Sequence, residues 1–172
     1  RNKKLTYPED FAPCERAGFG IDTHAFGKAQ DYITLAGVRI PAASGLIAHS
    51  DGDVLVHAVM DALLSAAGLR DIGHYFPDSD ARFAGADSME LLREVMRLIK
   101  EQGLAPANVS VSVLAERPRL APYIDAMRAK LAIALGISPA AVGIAAGTNE
   151  KLGYVGEGKG ITVYAMVLLK RI

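Results

Sequence analysis

Residues 161–170 read "ITVYAMVLLK", apolar at nearly every position. Its Ile, Thr, Val and Tyr favour a strand. Successive side chains of a strand point to opposite faces, so one this apolar asks for cover on both. The rest of the chain supplies three helical patterns, which suffice for one face. The second face calls for another subunit, and an oligomer is expected. Strands alternating with helices give an α+β fold, with helices packed on one face of a mixed β-sheet.

The chain has 172 residues, of which 51% are apolar, and this suits one main domain. Lys+Arg and Asp+Glu balance at 19 each, so neither nucleic acid nor an anionic membrane is an expected partner. No apolar run approaches the ~18 residues of a membrane span, and no signal segment opens the chain. Cys14 is the only cysteine, so an internal disulfide is excluded and a reducing, cytoplasmic setting is expected. Cys14 reads as a core residue. The first residue is arginine rather than methionine, as expected of a piece of a longer chain.

Residues 1–13 are polar with two prolines and read as a linker or tail, with the main domain over 14–172. Strands are expected over 14–21, 32–35, 38–40, 109–115, 142–147 and 161–169, and a loop over 43–50. A helix runs from Asp51 or Asp53 to about Gly68, with aspartate at its N-terminus. Residues 69–86 form a long polar loop, of a length often associated with function. A second helix spans Ser88 to Gln102, with Asp87 as N-cap and Glu90 completing a capping box. A third runs from Pro122 to Leu135, ended by Gly136.

Four histidines are present, and their surroundings suggest chemistry. In "FGIDTHAFGK", Asp22 and His24 are two apart and share a face if the strand continues through them. His49 precedes the first helix. His57 lies within it, one turn before Asp61, in the position of a metal ligand with an orienting carboxylate. Asp22, His24 and His57 would make a two-nitrogen, one-oxygen set with an open fourth position, a pattern common for catalytic zinc. Spacing alone leaves a second reading open, in which His57 is a core histidine bonded to Asp61 and Asp22 and His24 are polar loop residues. "GFG" lacks the full dinucleotide fingerprint. "FPDSD" and "ERPR" read as turns by composition. In "GTNEKLGYVGEGKG", Thr148, Asn149 and Glu150 offer oxygen donors suited to a hard cation such as magnesium.

Six segments, "GFGIDTHAFG", "AHSDGDVLVHAVMDALL", "DIGHYFPDSD", "GADSMELL", "ERPRLAPYI" and "TNEKLGYVGEGKG", occur in this order. Together they resemble the 2-C-methyl-D-erythritol 2,4-cyclodiphosphate synthase family over about Arg16 to Leu169. The resemblance implies a homotrimer with its sheets facing the inside and active sites between adjacent subunits. It implies a phosphorus–oxygen lyase of the non-mevalonate isoprenoid pathway. The 2-phosphate of a CDP-linked methylerythritol attacks the β-phosphorus, a cyclic diphosphate closes and CMP leaves. Zn2+ or a similar divalent metal is implied at Asp22, His24 and His57, and Mg2+ or Mn2+ at Glu150 between the phosphates of the CDP group. Transition-state stabilisation falls to His49 and Thr148. Asp71 and Gly73 would meet the ribose, while Phe76, Pro77, Asp78, Ser79 and Asp80 close over the methylerythritol. Ala115, Glu116, Arg117, Pro118, Arg119, Leu120 and Ala121, with Gly147 and Asn149, would hold cytosine and phosphates of a substrate bound from the neighbouring subunit. Ser50, Ile72, Tyr154 and Glu157 also fall at positions of substrate contact.

Two departures from the family pattern stand out. "GEGKG" replaces the usual "GRGEG", which exchanges the charges at Glu157 and Lys159 near the expected three-fold axis. Ala145 stands where lysine is frequent. The opening "KLTYPEDF" resembles the end of the cytidylyltransferase acting two steps earlier in the pathway, which suggests a domain of a bifunctional protein. Two other functions compete: a zinc phosphoesterase, and a non-catalytic trimeric module binding nucleotides or isoprenoid phosphates.

Overall fold

The longest strand, β1 (Glu15–Lys28), carries the aspartate and histidine of "GFGIDTHAFGK" well inside its length. The expected strand end at residue 21 is therefore corrected. Pairing with β7 (Gly160–Arg171) runs in unbroken antiparallel register from Glu15↔Lys170 to Ala25↔Gly160, and this ladder overrides the weak strand preference of Asp22. The computed structural model describes residues 15–172. The expected linker over 1–13 and the reading of Cys14 lie outside them.

Between these strands the chain forms β2 (Tyr32–Leu35), β3 (Val38–Pro41), β4 (Gly45–Leu46), α1 (Val54–Ala67), α2 (Ile72–Tyr75), α3 (Ser88–Glu101), β5 (Leu104–Leu114), α4 (Ile124–Leu135), β6 (Val142–Gly147) and α5 (Gly153–Gly156). The main sheet has the order β4-β1-β7-β5-β6, antiparallel except for the parallel β5–β6 pair, and β2–β3 form a separate hairpin. The sheet is thus mixed, as expected. β5 begins five residues earlier than its alternation indicates. Pro106 cannot donate to the ladder, and a register shift between Pro106 and Asn108 absorbs it. Short α2 interrupts the expected loop over 69–86, α5 lies within "GTNEKLGYVGEGKG", where no helix was expected, and β4 lies inside the expected loop over 43–50.

α1 is buried on almost every side, including Leu55, Met60, Leu63 and Leu64. A helix apolar all round belongs between layers; it packs on β1 and β7 and against α3. Asp53 caps it by accepting from the Val56 amide at 3.1 Å, and Gly68 ends it in the left-handed conformation. The Asp53 carboxylate also accepts from the Ala36 and Gly37 amides at 3.0 and 2.7 Å, tying the β2–β3 turn to the start of α1. α3 is capped by Asp87 through the Met89 amide at 2.8 Å. Among the described residues Glu90 pairs with Arg93 one turn on instead of closing the expected capping box. No helix among the described residues is long and apolar enough to cross a membrane.

The central strand β7 does not bury both faces within one chain. Tyr164 and Met166 point outward and are exposed, as are Phe19 and Ile21 beside them on β1. The register pairs Phe19 with Met166 and Ile21 with Tyr164, so the four form one apolar block on the face away from α1.

Candidate active site

Gly18 and Gly20 set the geometry from which the site is built. A Cβ at Gly18 would lie 2.0 Å from the Ala62 carbonyl oxygen, and one at Gly20 would lie 2.1 Å from that of Ala58. Only bare backbone lets α1 approach β1 this closely. The next residues on the same face of β1 are Asp22 and His24, and the first turn of α1 brings His57 over them. His57 Nδ1 lies 3.0 Å from Asp22 Oδ2, and His24 Nδ1 lies 3.3 Å from the same oxygen. One donor atom from each of the three residues falls within 4.8 Å of the others, a cluster able to hold a metal ion. Two imidazole nitrogens aimed at one carboxylate oxygen fit a divalent cation, because neutral imidazole and carboxylate are its usual donors.

The orienting partner of His57 differs from expectation. Asp61 shares a helix face with it, but the imidazole turns toward β1 while Asp61 Oδ1 accepts from the Ile72 amide at 2.9 Å. Asp61 therefore anchors α2, which carries Ile72 and Gly73. The outer nitrogen of His57, Nε2, meets Ser88 Oγ at 3.0 Å and Ser50 Oγ at 3.2 Å. Neither Ser88 nor Asp51, to which the Ser88 hydroxyl donates, stood among the expected site residues. Both lie within quoted motifs, Asp51 in "AHSDGDVLVHAVMDALL" and Ser88 in "GADSMELL", but a helix-start composition, which every capped helix shares, gave no reason to single them out.

Burial lowers the His24 pKa below its ordinary value, although the Asp22 charge pulls it upward. Burial acts the same way on His57, but its bond to Asp22 and the charges of Asp22, Asp53 and Asp51 outweigh it and leave the pKa raised. Burial also raises the Asp61 carboxyl. It pushes the fully buried Asp53 up to about 6, against its three amide donors.

The triad opens into a cavity of about 440 Å³ that also takes in His49, Ser50, Ile72, Gly73, Phe76 and Asp78. These expected site residues are brought together in one chain. Met60, Phe83 and Leu91 supply apolar wall that no motif announced. Asp71 instead caps α2 through the His74 amide and faces a neighbouring cleft with Phe19 and Ile21. Asp80 is forked to Arg82, and Pro77 accepts from the Asp80 amide in the same turn as Ser79.

The second group of expected residues gathers elsewhere. Thr148 Oγ1 donates to Glu150 Oε1 at 3.1 Å. Glu116 Oε1 accepts from the amides of Asn149 and Lys151 at 2.9 and 3.3 Å. Ala115 donates its amide to the Gly147 carbonyl, and Leu120 is buried in the core. Arg117, Pro118 and Arg119 line a cavity of about 520 Å³ with Phe26, Asp31 and Gly158. Tyr154 bonds Thr162, and Glu157 pairs with Lys159. None of this second group lines the cavity of the triad.

The family model described as the YgbB family matches residues 15–170. The chain belongs to the YgbB family. Its relatives include a 2-C-methyl-D-erythritol 2,4-cyclodiphosphate synthase of Pseudomonas paraeruginosa, 52% identical over 154 residues that cover 90% of this chain and 98% of the relative. Among solved structures, the bifunctional IspDF of Campylobacter jejuni has a TM-score of 0.89 at 39% identity, covering 99% of this chain and 48% of that one. The IspF of Plasmodium falciparum, solved as a CDP complex, has a TM-score of 0.80 at 31% identity, covering 91% of this chain and 96% of that one. The YgbB fold thus spans the same elements that carry the triad, the cavity and the loop of residues 148–151.

Proposed function

We propose that this chain is a 2-C-methyl-D-erythritol 2,4-cyclodiphosphate synthase, closing the CDP-linked methylerythritol 2-phosphate to a cyclic diphosphate with release of CMP. The observation that carries the reading is the cluster of Asp22, His24 and His57 donors at a cavity that also holds His49, in a chain 52% identical to a relative of that name. Asp22, His24 and His57 would hold zinc, and Glu150 would hold Mg2+ or Mn2+. When bound, such cations supply Lewis-acid polarisation of phosphoryl oxygens and offset their charge.

In this reaction an oxygen of the 2-phosphate bonds to the β-phosphorus. The bond from that phosphorus to the bridging oxygen breaks, and its electron pair leaves on CMP. No water is consumed. The attacking oxygen is already ionised, so the chain needs no Ser-His or Cys-His nucleophile. What it must supply is a folded, in-line substrate, and in favourable intramolecular cases such positioning is worth about 7–11 kcal/mol. His49 at the cavity and the Thr148 hydroxyl are suited to donate hydrogen bonds to the developing phosphoryl charge. Gly73 and the Phe76–Asp80 turn would enclose the sugar, with Ser50 and Ile72 beside it. The segment 115–121 would hold cytosine.

The separation of the triad from the loop of residues 148–151 supports an active site completed across a subunit boundary. The exposed apolar block of Phe19, Ile21, Tyr164 and Met166 supports burial of this sheet face in a homotrimer. A bifunctional context is supported by the Campylobacter jejuni chain, of which this one spans about half. The deciding experiment is CMP release from the methylerythritol substrate in 18O-labelled water. The cyclase releases CMP and a product free of label. Label in the product would show a phosphoesterase, and metal binding without turnover would show a binding module.

A further inference from the structure

We propose that Ser88 and Asp51 are positioning residues that hold His57 Nε2 as a hydrogen-bond donor and thereby keep its Nδ1 turned toward Asp22 and His24. The inference rests on the reading of those three side chains as metal ligands.

The argument begins with the Ser88 hydroxyl, which is fully buried and has one hydrogen to give. Ser88 Oγ lies 2.5 Å from Asp51 Oδ1, while the Ser88 amide donates to Asp51 Oδ2 at 3.0 Å. A carboxylate only accepts, so the hydroxyl hydrogen goes to Asp51. Turning it toward His57 would leave two bare oxygens at 2.5 Å, with mutual repulsion and a lost charge-assisted bond. Ser88 Oγ is therefore left with only lone pairs for His57 Nε2, 3.0 Å away, and that nitrogen must be the donor. Ser50 Oγ, at 3.2 Å from Nε2, accepts from the Gly52 amide and is compatible with the same donor.

Asp51 is held in turn. Its Oδ1 accepts from the Asp53 amide at 3.1 Å, and its own amide donates to the Ala86 carbonyl at 3.1 Å. A neighbouring bond, from the Gly85 amide to the His49 carbonyl at 2.8 Å, joins the same two segments. The loop before α1 and the start of α3 are thus joined directly behind the imidazole. A ligating histidine whose second nitrogen donates to a fixed acceptor keeps its ring orientation and gains basicity at the ligating nitrogen. Here the acceptor is a hydroxyl polarised by a carboxylate.

The test compares wild type with Ser88→Ala, Asp51→Asn and the conservative Ser88→Thr. 1H–15N spectra of the metal-free protein read the His57 Nε2–H proton without metal or substrate. Zinc affinity is read separately by chelator competition. Wild type and Ser88→Thr are expected to show an Nε2–H that is shifted downfield and slow to exchange. Ser88→Ala is expected to lose that protected proton and to weaken zinc binding about 10- to 100-fold. Asp51→Asn is expected to move both readouts in the same direction, and it carries the test if Ser88→Ala does not fold. A protected Nε2–H and unaltered zinc affinity in whichever of the two variants folds would overturn the proposal. Failure of the metal reading itself is distinguishable: zinc would then bind wild type and His57→Ala equally.

Discussion

A methyl group on Gly20 would overlap the carbonyl oxygen of Ala58, at 2.1 Å. The contact between these two residues holds α1 at the distance that lets His57 meet Asp22.

Gly20→Ala is therefore expected to cost about 3 kcal/mol of stability or more, because backbone rather than a movable side chain must shift. The displaced helix also carries His57 away from the strand. Denaturant unfolding and zinc titration should both report the change. Unaltered zinc affinity in a destabilised protein would uncouple the helix position from the site.

His57→Ala removes one of the three clustered donors and leaves the Ser88 hydroxyl facing a small void. It is expected to abolish zinc binding at the triad and CMP release, while circular dichroism stays close to wild type. Retained turnover would exclude His57 from the chemistry.

Glu116 holds a loop in which Glu150 and Lys151 have positive φ angles of 50° and 62°. Such conformations persist where surrounding bonds impose them. Glu116→Ala leaves the Asn149 and Lys151 amides without their acceptor, at a local cost of about 1–3 kcal/mol. Hydrogen exchange at these amides should accelerate, and the Mg2+ requirement for turnover should rise. Glu116→Gln keeps one carbonyl acceptor and is expected to fall between. Unchanged exchange at both amides would refute the role.

Asp53 gives a pH signature of opposite sign to that of a salt-bridged carboxylate. Its carboxyl is raised from 3.8 in the unfolded chain to about 6 in the fold. Between those values the folded state binds more protons, so the stability contributed by Asp53 is full below 3.8 and is lost as pH rises through about 6. The gap corresponds to at most roughly 3 kcal/mol. Urea unfolding across this window isolates the effect as the difference between wild type and Asp53→Asn. A difference independent of pH would contradict it.

Met166→Lys places a charge in the outward apolar block. With the trimer assembled through that block, the variant is expected to sediment as a smaller species and to lose CMP release together with assembly. A variant that sediments like wild type would put the interface elsewhere.

Much of this architecture was legible from local pattern. The helix over Val54–Ala67 followed from its apolar period with Asp51 or Asp53 before it and Gly68 after it, and β6 has the bounds expected of it. β1 was read too short because Asp22, Thr23 and His24 look like a loop in isolation, and only pairing with β7 keeps them extended. Four-residue α2 and α5 have too little length to show a period. The triad was legible as a set of donor types, but its assembly depends on two glycines whose importance lies in what touches them. The partner of His57 was misread because the helical neighbour Asp61 is visible in sequence, whereas Ser88 is 31 residues away.

Along β1, Gly18, Gly20, Asp22 and His24 occupy every second position, and the outward Phe19, Ile21 and Thr23 fill the positions between them. Inserting or deleting one residue between Gly18 and His24 would exchange the two sets, turning Phe19 and Ile21 into the helix while the imidazole swung to the outside. Helix docking, the donor triad and the outer apolar block thus share a single reading frame.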